Sequence, residues 1–267
     1  PRLYPQDHAF ILQHIDKRIV FVIPYLEQFS MIGTTDVDYH GSLRDVTIDA
    51  TEQRYLIDIV NQHFVKQIAL SDIIWHFSGV RPLSDDHRSS AQNASRDYQL
   101  VLDTQANHTP LLSVYGGKLT TYRKLAEAAL SKLAPYLPDM GPAWTDRLPL
   151  PGGNFTMGTA RLCHHLQRQH PCLSDALIKR YVAQFGSDTR AFLSSVKQRE
   201  DLGQHFGHEL YQREVDYFIE HEFAHTAQDI LWRRTKLGLF LTPDEQATLT
   251  QYVSDKFSVQ KTTPPTV

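Results

Sequence analysis

Residues 9–39 read AFILQHIDKRIVFVIPYLEQFSMIGTTDVDY, and this stretch decides the fold class of the first half of the chain. Three runs in it are rich in β-branched and aromatic residues, namely 9–14, 18–25 and 29–35. Short polar breaks separate the runs, and this spacing predicts an antiparallel meander. Pro24 lies inside the second run and has no N–H to donate, so we expect that strand to end there, to bulge, or to lie at a sheet edge.

Helical and strand-like segments alternate in the sequence that follows the meander. Apolar residues at helical spacing predict a helix over 51–65, with Thr51 as its N-cap. Further strands are predicted at 72–82, 97–104 and 111–117, and a long helix at 118–137. We therefore expect an α+β region with an antiparallel or mixed sheet.

A segment dense in proline and glycine divides the chain. Residues 138–153 read PDMGPAWTDRLPLPGG, so we place a boundary near residue 150, between domains 1–150 and 151–267. Helical patterns follow at 156–170, 174–186, 188–199, 209–222, 226–236 and 243–257. Almost no β-alternating run lies between them, so the second domain is predicted to be an all-α bundle.

Composition and charge exclude several classes of protein. The 267 residues are 41% hydrophobic and 21% charged, which disfavours disordered and fibrous structures. A formal net charge of −3 provides no broad positive field, so nucleic acid is not an expected partner. We find neither a run of about 20 apolar residues nor an export signal. The two cysteines, Cys163 and Cys172, are expected to pack in a reducing compartment.

The most informative local feature is the run YGGKLTT at 115–121. A strand that ends in two glycines and leads into a helix presents backbone N–H groups and the positive end of a helix dipole. The glycines permit close backbone approach, Lys118 adds a mobile charge, and Thr120 or Thr121 can cap the helix. The run therefore indicates an anion-binding turn. The alternative is an ordinary strand-to-helix turn whose glycines only satisfy a positive φ.

Two arginines are predicted at neighbouring strand ends. Arg81 leaves the strand at 72–82 beside a glycine and before a rigid proline, and Arg96 begins the strand at 97–104. With Lys118 they would form a clamp for a phosphate or a carboxylate through charge-assisted hydrogen bonds. The alternative for each arginine is a surface ion pair with Asp85, Asp86 or Asp97.

The sequence HEFAH at 221–225 matches H-E-x-x-H, in which two histidines on one helix face bind zinc and the glutamate acts as a base. This zinc metallohydrolase alternative assigns His221 and His225 as ligands, Glu222 as the base and Glu245 as a third ligand. The many charged residues nearby favour a solvated helix face instead.

A short basic cluster, WRRTK, occupies 232–236. It is typical of a helix C-terminus whose cations complement the dipole. The functional alternative is a docking site for an acidic partner or an anionic lipid.

Eight blocks of sequence carry a resemblance that covers nearly the whole chain. They are DKRIVFVIPY (16–25), IGTTDVDY (32–39), SGVRPL (78–83), RDYQL (96–100), SVYGGKLTTYRKLAE (113–127), GPAWT (141–145), LPGG (150–153) and LWRRTKLGL (231–239). In this order they resemble the C-terminal half of the FAD-dependent respiratory glycerol-3-phosphate dehydrogenases of bacteria. The resemblance implies a peripheral membrane flavoenzyme that oxidises sn-glycerol 3-phosphate to dihydroxyacetone phosphate, with hydride passing to FAD and electrons to quinone.

The resemblance also implies a fold and a set of site residues. Residues 1–150 would be a substrate-cap sheet with the end of an FAD-binding domain of the glutathione-reductase and D-amino-acid-oxidase type, and 151–267 a C-terminal helical domain. The implied substrate-binding residues are Arg81, Arg96 and Lys118, of which Arg81 and Lys118 are also catalytic. The implied cofactor-binding residues are Gly117, Lys118, Leu119 and Thr120.

The resemblance finally implies partners and a location. The chain starts at Pro1 in strand-like sequence and has no G-x-G-x-x-G fingerprint, so we expect it to be part of a longer protein. The implied partners are the N-terminal half of the same protein, sn-glycerol 3-phosphate, quinone and a second copy in a homodimer. The implied location is cytoplasmic, on the inner face of the cytoplasmic membrane. Without the N-terminal half we expect no turnover; the alternative function is a helical interaction or oligomerisation module.

Overall fold

The structure is a computed structural model that describes residues 1–37, 39–81, 97–105, 108–155 and 157–262. The chain divides into two units, Pro1–Ala143 and Trp144–Val267, and both combine helices with small antiparallel sheets. The assignment of 1–150 and 151–267 as separate functional domains stays a prediction. Among the helices that the structure describes, none has the length and apolar character needed to cross a membrane.

The first unit opens with the expected meander. Its strands are β1 (Phe10–Gln13), β2 (Ile19–Tyr25) and β3 (Phe29–Gly33), which pair antiparallel in the order β1-β2-β3. Pro24 lies in β2 beyond the last residue paired with β1 and pairs only with β3, as its missing N–H requires. One sheet face packs against helix α1 (Ala50–His63), because alternate β2 residues and one α1 face are apolar and buried together.

The N-terminus of α1 is fixed by a capping box. The Asp49 side chain accepts a hydrogen bond from the Glu52 amide at 2.8 Å, and the Glu52 side chain accepts one from the Asp49 amide at 3.2 Å. The expectation that Thr51 caps this helix is therefore wrong, because a residue before it satisfies the first free amides.

A second, two-stranded sheet follows in the first unit. Strands β4 (Gln99–Asp103) and β5 (Leu111–Tyr115) pair antiparallel, and helix α2 (Tyr122–Leu133) begins after a 3-10 turn at Leu119–Thr121. The described strands thus form separate antiparallel sheets, which confirms the antiparallel form of the expected sheet, and no described strand pair is parallel.

The strand expected at 72–82 is also wrong for its described residues. A 3-10 turn occupies Leu70–Asp72, and 73–81 form no strand. Ile74, Phe77 and Val80 of this segment are exposed, and no described strand pairs with it to form a ladder.

The second unit contains these α-helices and β-strands: α3 (Gly158–Gln169), α4 (Asp175–Phe185), α5 (Thr189–Leu193), β6 (His205–Gly207), β7 (Leu210–Tyr211), α6 (Gln212–His221), α7 (Ala227–Asp229) and α8 (Pro243–Thr262). A π-helical turn, Ile230–Arg234, continues α7. The β6–β7 hairpin makes the expectation of an all-α bundle wrong. Its turn depends on positive φ angles at Gly207, His208 and Glu209, which periodicity alone does not reveal.

An ion pair between a partly exposed arginine and a fully buried glutamate lies in the core of the second unit. Arg180 donates from Nη1 and Nη2 to the two Glu214 carboxylate oxygens at 2.6 and 2.7 Å. Complete burial raises the pKa of the Glu214 carboxyl, and the Arg180 charge opposes that rise. The surrounding core contains fully buried Phe206 and Phe218, and within it the Arg180–Glu214 ion pair links α4 to α6.

Candidate functional site

The glycine turn after β5 has the backbone conformation that the sequence indicates. Gly116 and Gly117 have φ angles of 68° and 102°, a region that side chains rarely adopt. The β4–β5 register pairs Gln99 with Tyr115, so the residue before β4 lies beside the turn. A Cβ added at Gly117 would lie 3.3 Å from the Tyr98 Cβ. Both the φ angle and the limited space therefore favour glycine at this position.

Lys118 stands where the turn meets the helical segment. The amide and the hydroxyl of Thr121 both donate to the Lys118 carbonyl, at 3.0 and 2.9 Å. No side chain caps the 3-10 turn or α2, so the expectation that Thr120 or Thr121 caps the helix is wrong for this described segment. Leu119 is almost completely exposed beside the turn.

Each predicted cation that the structure describes is ion-paired with a carboxylate. Lys118 Nζ lies 3.7 Å from Asp97 Oδ1, an arrangement that follows from the β4–β5 pairing. Arg81 Nη1 donates to Asp36 Oδ2 at 2.7 Å. Arg96 lies outside the described residues. That Arg81, Arg96 and Lys118 converge on one anion stays a prediction, as do the cofactor contacts of Gly117, Leu119 and Thr120.

Sequence reasoning missed Asp36 as the partner of Arg81. The two residues are 45 positions apart, and neither helical nor strand spacing links them. The available signal was that Asp36 and Arg81 each lie in one of the blocks that carry the resemblance, IGTTDVDY and SGVRPL.

Comparison with known proteins gives two family matches in sequence order. A family model described as FAD dependent oxidoreductase matches residues 2–123, and one described as the C-terminal domain of alpha-glycerophosphate oxidase matches 143–260. Residues 2–123 therefore belong to the FAD dependent oxidoreductase family, and residues 143–260 to the family of that C-terminal domain. The glycine turn and both described cations lie inside the first matched range.

Individual relatives agree with the family assignment. The chain is 48% identical over 256 residues to a glycerol-3-phosphate dehydrogenase of Pseudomonas aeruginosa. The aligned residues make up 96% of this chain and 50% of the relative. The chain is 47% identical over 253 residues to the aerobic glycerol-3-phosphate dehydrogenase of Escherichia coli K12, covering 95% and 50%. A D-erythritol 1-phosphate dehydrogenase of Brucella abortus is 38% identical over 253 residues, covering 94% and 50%. The chain thus spans about half the length of these curated relatives.

The zinc alternative is not supported by the described residues. Helix α6 ends at His221, and Phe223 has a φ of 56°, so His225 does not follow on the same helix face. The His221 ring lies 4.7 Å from the Tyr217 ring, and the His225 ring lies 5.3 Å from that of Phe257. Among the residues that the structure describes, no group of three or more His, Cys, Asp or Glu could hold a metal ion.

Two cations of the basic cluster at 232–236 donate hydrogen bonds to backbone carbonyl groups near helix ends. Arg234 Nε donates to the Glu222 carbonyl at the end of α6 at 2.9 Å, and Lys236 Nζ donates to the Trp232 carbonyl. Burial, with a smaller contribution from Arg233, lowers the pKa of Lys236. These contacts confirm the interpretation of the cluster as cations at a helix C-terminus.

Proposed function

We propose that this chain is the C-terminal half of an sn-glycerol-3-phosphate dehydrogenase. In this proposal the first unit provides the end of the substrate-cap sheet and the last flavin-contacting turn, and the second unit is the C-terminal helical domain. The observation that carries the proposal is the glycine turn with Lys118, because it lies inside the range matched by the FAD dependent oxidoreductase model. The glycerol-3-phosphate dehydrogenases named above support the choice of reaction.

The residues of the turn fit a flavin. Gly116 and Gly117 carry no Cβ to obstruct close approach to their backbone, and the exposed side chain of Leu119 offers apolar surface beside them. FAD, when bound, accepts the hydride that leaves C2 of the substrate. The amides of 117–120 and the Lys118 ammonium group would hold the negative charge that develops at the pyrimidine end of the ring. Backbone and lysine thus supply electrostatic stabilisation rather than the redox chemistry.

The cations of this chain would bind the phosphate of the substrate. Arg81 and Lys118 are described and partly exposed, and Arg96 precedes β4 in sequence. Guanidinium groups bind phosphate oxygens through paired, charge-assisted hydrogen bonds. Because one relative is a D-erythritol 1-phosphate dehydrogenase, the substrate class is a polyol phosphate, and sn-glycerol 3-phosphate is the member that we propose.

The remaining partners extend this proposal to the complete enzyme. We propose quinone as the electron acceptor, the N-terminal half of the same protein as the partner that binds the rest of FAD, and a homodimer as the assembly. The proposed location is the cytoplasmic side of the cytoplasmic membrane, with peripheral attachment and membership of the respiratory chain.

The proposal is tested by Arg81→Ala and Lys118→Ala in the complete enzyme. Each is expected to lower kcat/KM for sn-glycerol 3-phosphate by tens- to thousands-fold, about 2–4 kcal/mol of transition-state stabilisation. The matched control is Lys124→Ala, because Lys124 is an exposed lysine of α2 that pairs with Glu127 at 3.0 Å. Unchanged kinetics in both site variants would refute the proposed site. A higher kcat/KM for D-erythritol 1-phosphate than for sn-glycerol 3-phosphate in the wild-type enzyme would show that the proposed substrate is wrong.

A further inference from the structure

The ion pair between Asp36 and Arg81 joins two distant parts of the first unit. Asp36 follows β3, and Arg81 ends the described segment before residue 82. The pair is short, 2.7 Å between Arg81 Nη1 and Asp36 Oδ2, yet the side chains remain 43% and 30% exposed. An arginine held in this way is still accessible to a ligand from solvent. We propose that Asp36 is a positioning residue that orients Arg81 toward the substrate phosphate, an inference that rests on the proposed function.

The segment that carries Asp36 is itself fixed to a helix. The Thr35 hydroxyl donates to Glu52 Oε1 at 2.5 Å. Glu52 also accepts from the Asp49 amide through Oε2, so the same carboxylate completes the capping box of α1. Helix α1 is in turn packed against the meander. A series of contacts therefore links α1 to Arg81. Glu52 of α1 holds Thr35, and the next residue, Asp36, holds Arg81.

The geometry of an arginine explains what this arrangement achieves. The guanidinium group is planar, and its donors form a rigid fork. When a carboxylate holds Nη1, the direction of the remaining donors is fixed before a second anion arrives. Fixing a donor in advance reduces the loss of side-chain freedom on binding. Asp36 therefore organises Arg81 for a phosphate, although its negative charge alone would weaken the attraction.

The first unit contains a matched pair that serves as a control. In the β1–β2 turn, Arg18 Nη2 and Asp16 Oδ2 are also 2.7 Å apart, with side chains 37% and 32% exposed. The Arg18 guanidinium carbon lies 3.8 Å from the centroid of the Tyr55 ring, so this arginine stacks on an aromatic ring in addition to its ion pair with Asp16. Length and exposure of the two pairs agree, and only the Asp36 pair contains a residue of the proposed site.

The test uses the complete enzyme with Asp36→Asn, Asp36→Glu, Arg81→Ala, the double variant Asp36→Asn/Arg81→Ala, and the control Asp16→Asn. We measure KM and kcat for sn-glycerol 3-phosphate, the inhibition constant of inorganic phosphate, and the Tm. Asp36→Asn is expected to raise both KM and the phosphate inhibition constant roughly ten- to a hundredfold, with a smaller change in kcat. Asp36→Glu should recover part of the loss, and Asp16→Asn should stay within about twofold of wild type.

The double variant separates positioning from a general structural role. If Asp36 acts through Arg81, Asp36→Asn adds no further loss once Arg81 is alanine. An equal loss in both backgrounds, or wild-type phosphate inhibition in Asp36→Asn beside an impaired Arg81→Ala, would overturn the positioning role alone. Wild-type kinetics in Arg81→Ala would instead overturn the place of Arg81 in the proposed function.

Discussion

Replacing Gly117 with alanine tests whether the backbone of the glycine turn matters to the reaction. Gly117 has a φ of 102°, and a side chain held in such a sparsely populated region costs of the order of 1–3 kcal/mol. The added Cβ would also lie 3.3 Å from the Tyr98 Cβ, closer than an ordinary contact. Both effects act at Gly117, so we expect the turn to shift and the amides after it to move with it.

The size of the kinetic effect follows from that shift. Amides that stabilise developing charge must lie within a few tenths of an ångström of their working position. Displacing them is expected to lower kcat/KM about ten- to a hundredfold, since each factor of ten corresponds to about 1.4 kcal/mol. FAD content should fall as well, because Gly117 is one of the proposed flavin contacts.

The assay compares steady-state kinetics and flavin absorbance of the complete enzyme with a second glycine variant. Gly158 has a φ of 75°, and among the described residues, its chain neighbours apart, no atom lies within 4 Å of an added Cβ. Gly158→Ala therefore carries backbone strain at the start of α3, in the second unit. We expect it to lower the Tm while kcat/KM stays near wild type. A Gly117→Ala enzyme with wild-type kcat/KM and full FAD content would refute the reasoning.

Two further predictions concern the stability of each unit. Glu214→Ala leaves Arg180, whose side chain is only 25% exposed, without its carboxylate partner and is expected to lower the free energy of unfolding by about 3 kcal/mol in urea denaturation, whereas Arg180→Met/Glu214→Leu should lose less. A single-variant loss as small as that of the double variant would contradict this. Partial burial acts to raise the pKa of Asp16, but hydrogen bonds from Arg18 and Tyr55 lower it well below its usual 3.8. The folded state then binds fewer protons, so this contribution is present at neutral pH and is lost as the pH falls below that value. The Tm difference between wild type and Asp16→Asn should narrow between neutral and acidic pH, and a constant difference would argue against it.

Local signals in the sequence predicted much of the first unit. The β1–β3 meander follows from short apolar runs with polar breaks, and α1 follows from helical spacing, because both patterns arise within a few neighbouring residues. The positive φ angles of Gly116 and Gly117 follow from their place between a strand and a helical segment. In each case the residues that determine the structure are close together in the chain.

Two of the errors involve interactions between distant residues, and the zinc motif failed through a local change of the backbone. The segment at 73–81 is strand-like in composition, but a strand also needs a neighbouring strand to pair with. The partner of Arg81 depends on where the segment after β3 lies, and that position depends on Glu52 in α1. The H-E-x-x-H match failed because Phe223 adopts a positive φ and α6 ends before the second histidine. A motif therefore predicts chemistry only when the backbone between its residues stays regular.

The sequence of β2 carries information about a surface that the meander leaves uncovered. Ile19-Val20-Phe21-Val22-Ile23 is apolar at every position, whereas an antiparallel sheet with one solvated face alternates apolar and polar residues. Val20 and Val22 are completely buried on the α1 side. On the opposite face, Ile19 and Phe21 are 47% and 37% exposed, and Ile11, paired with Phe21, is 65% exposed. A sheet apolar on both faces is built to be covered on both, and the chain spans about half the length of its relatives. This pattern supports the proposal that the N-terminal half of the same protein packs on the first unit, with this face as a surface it would cover.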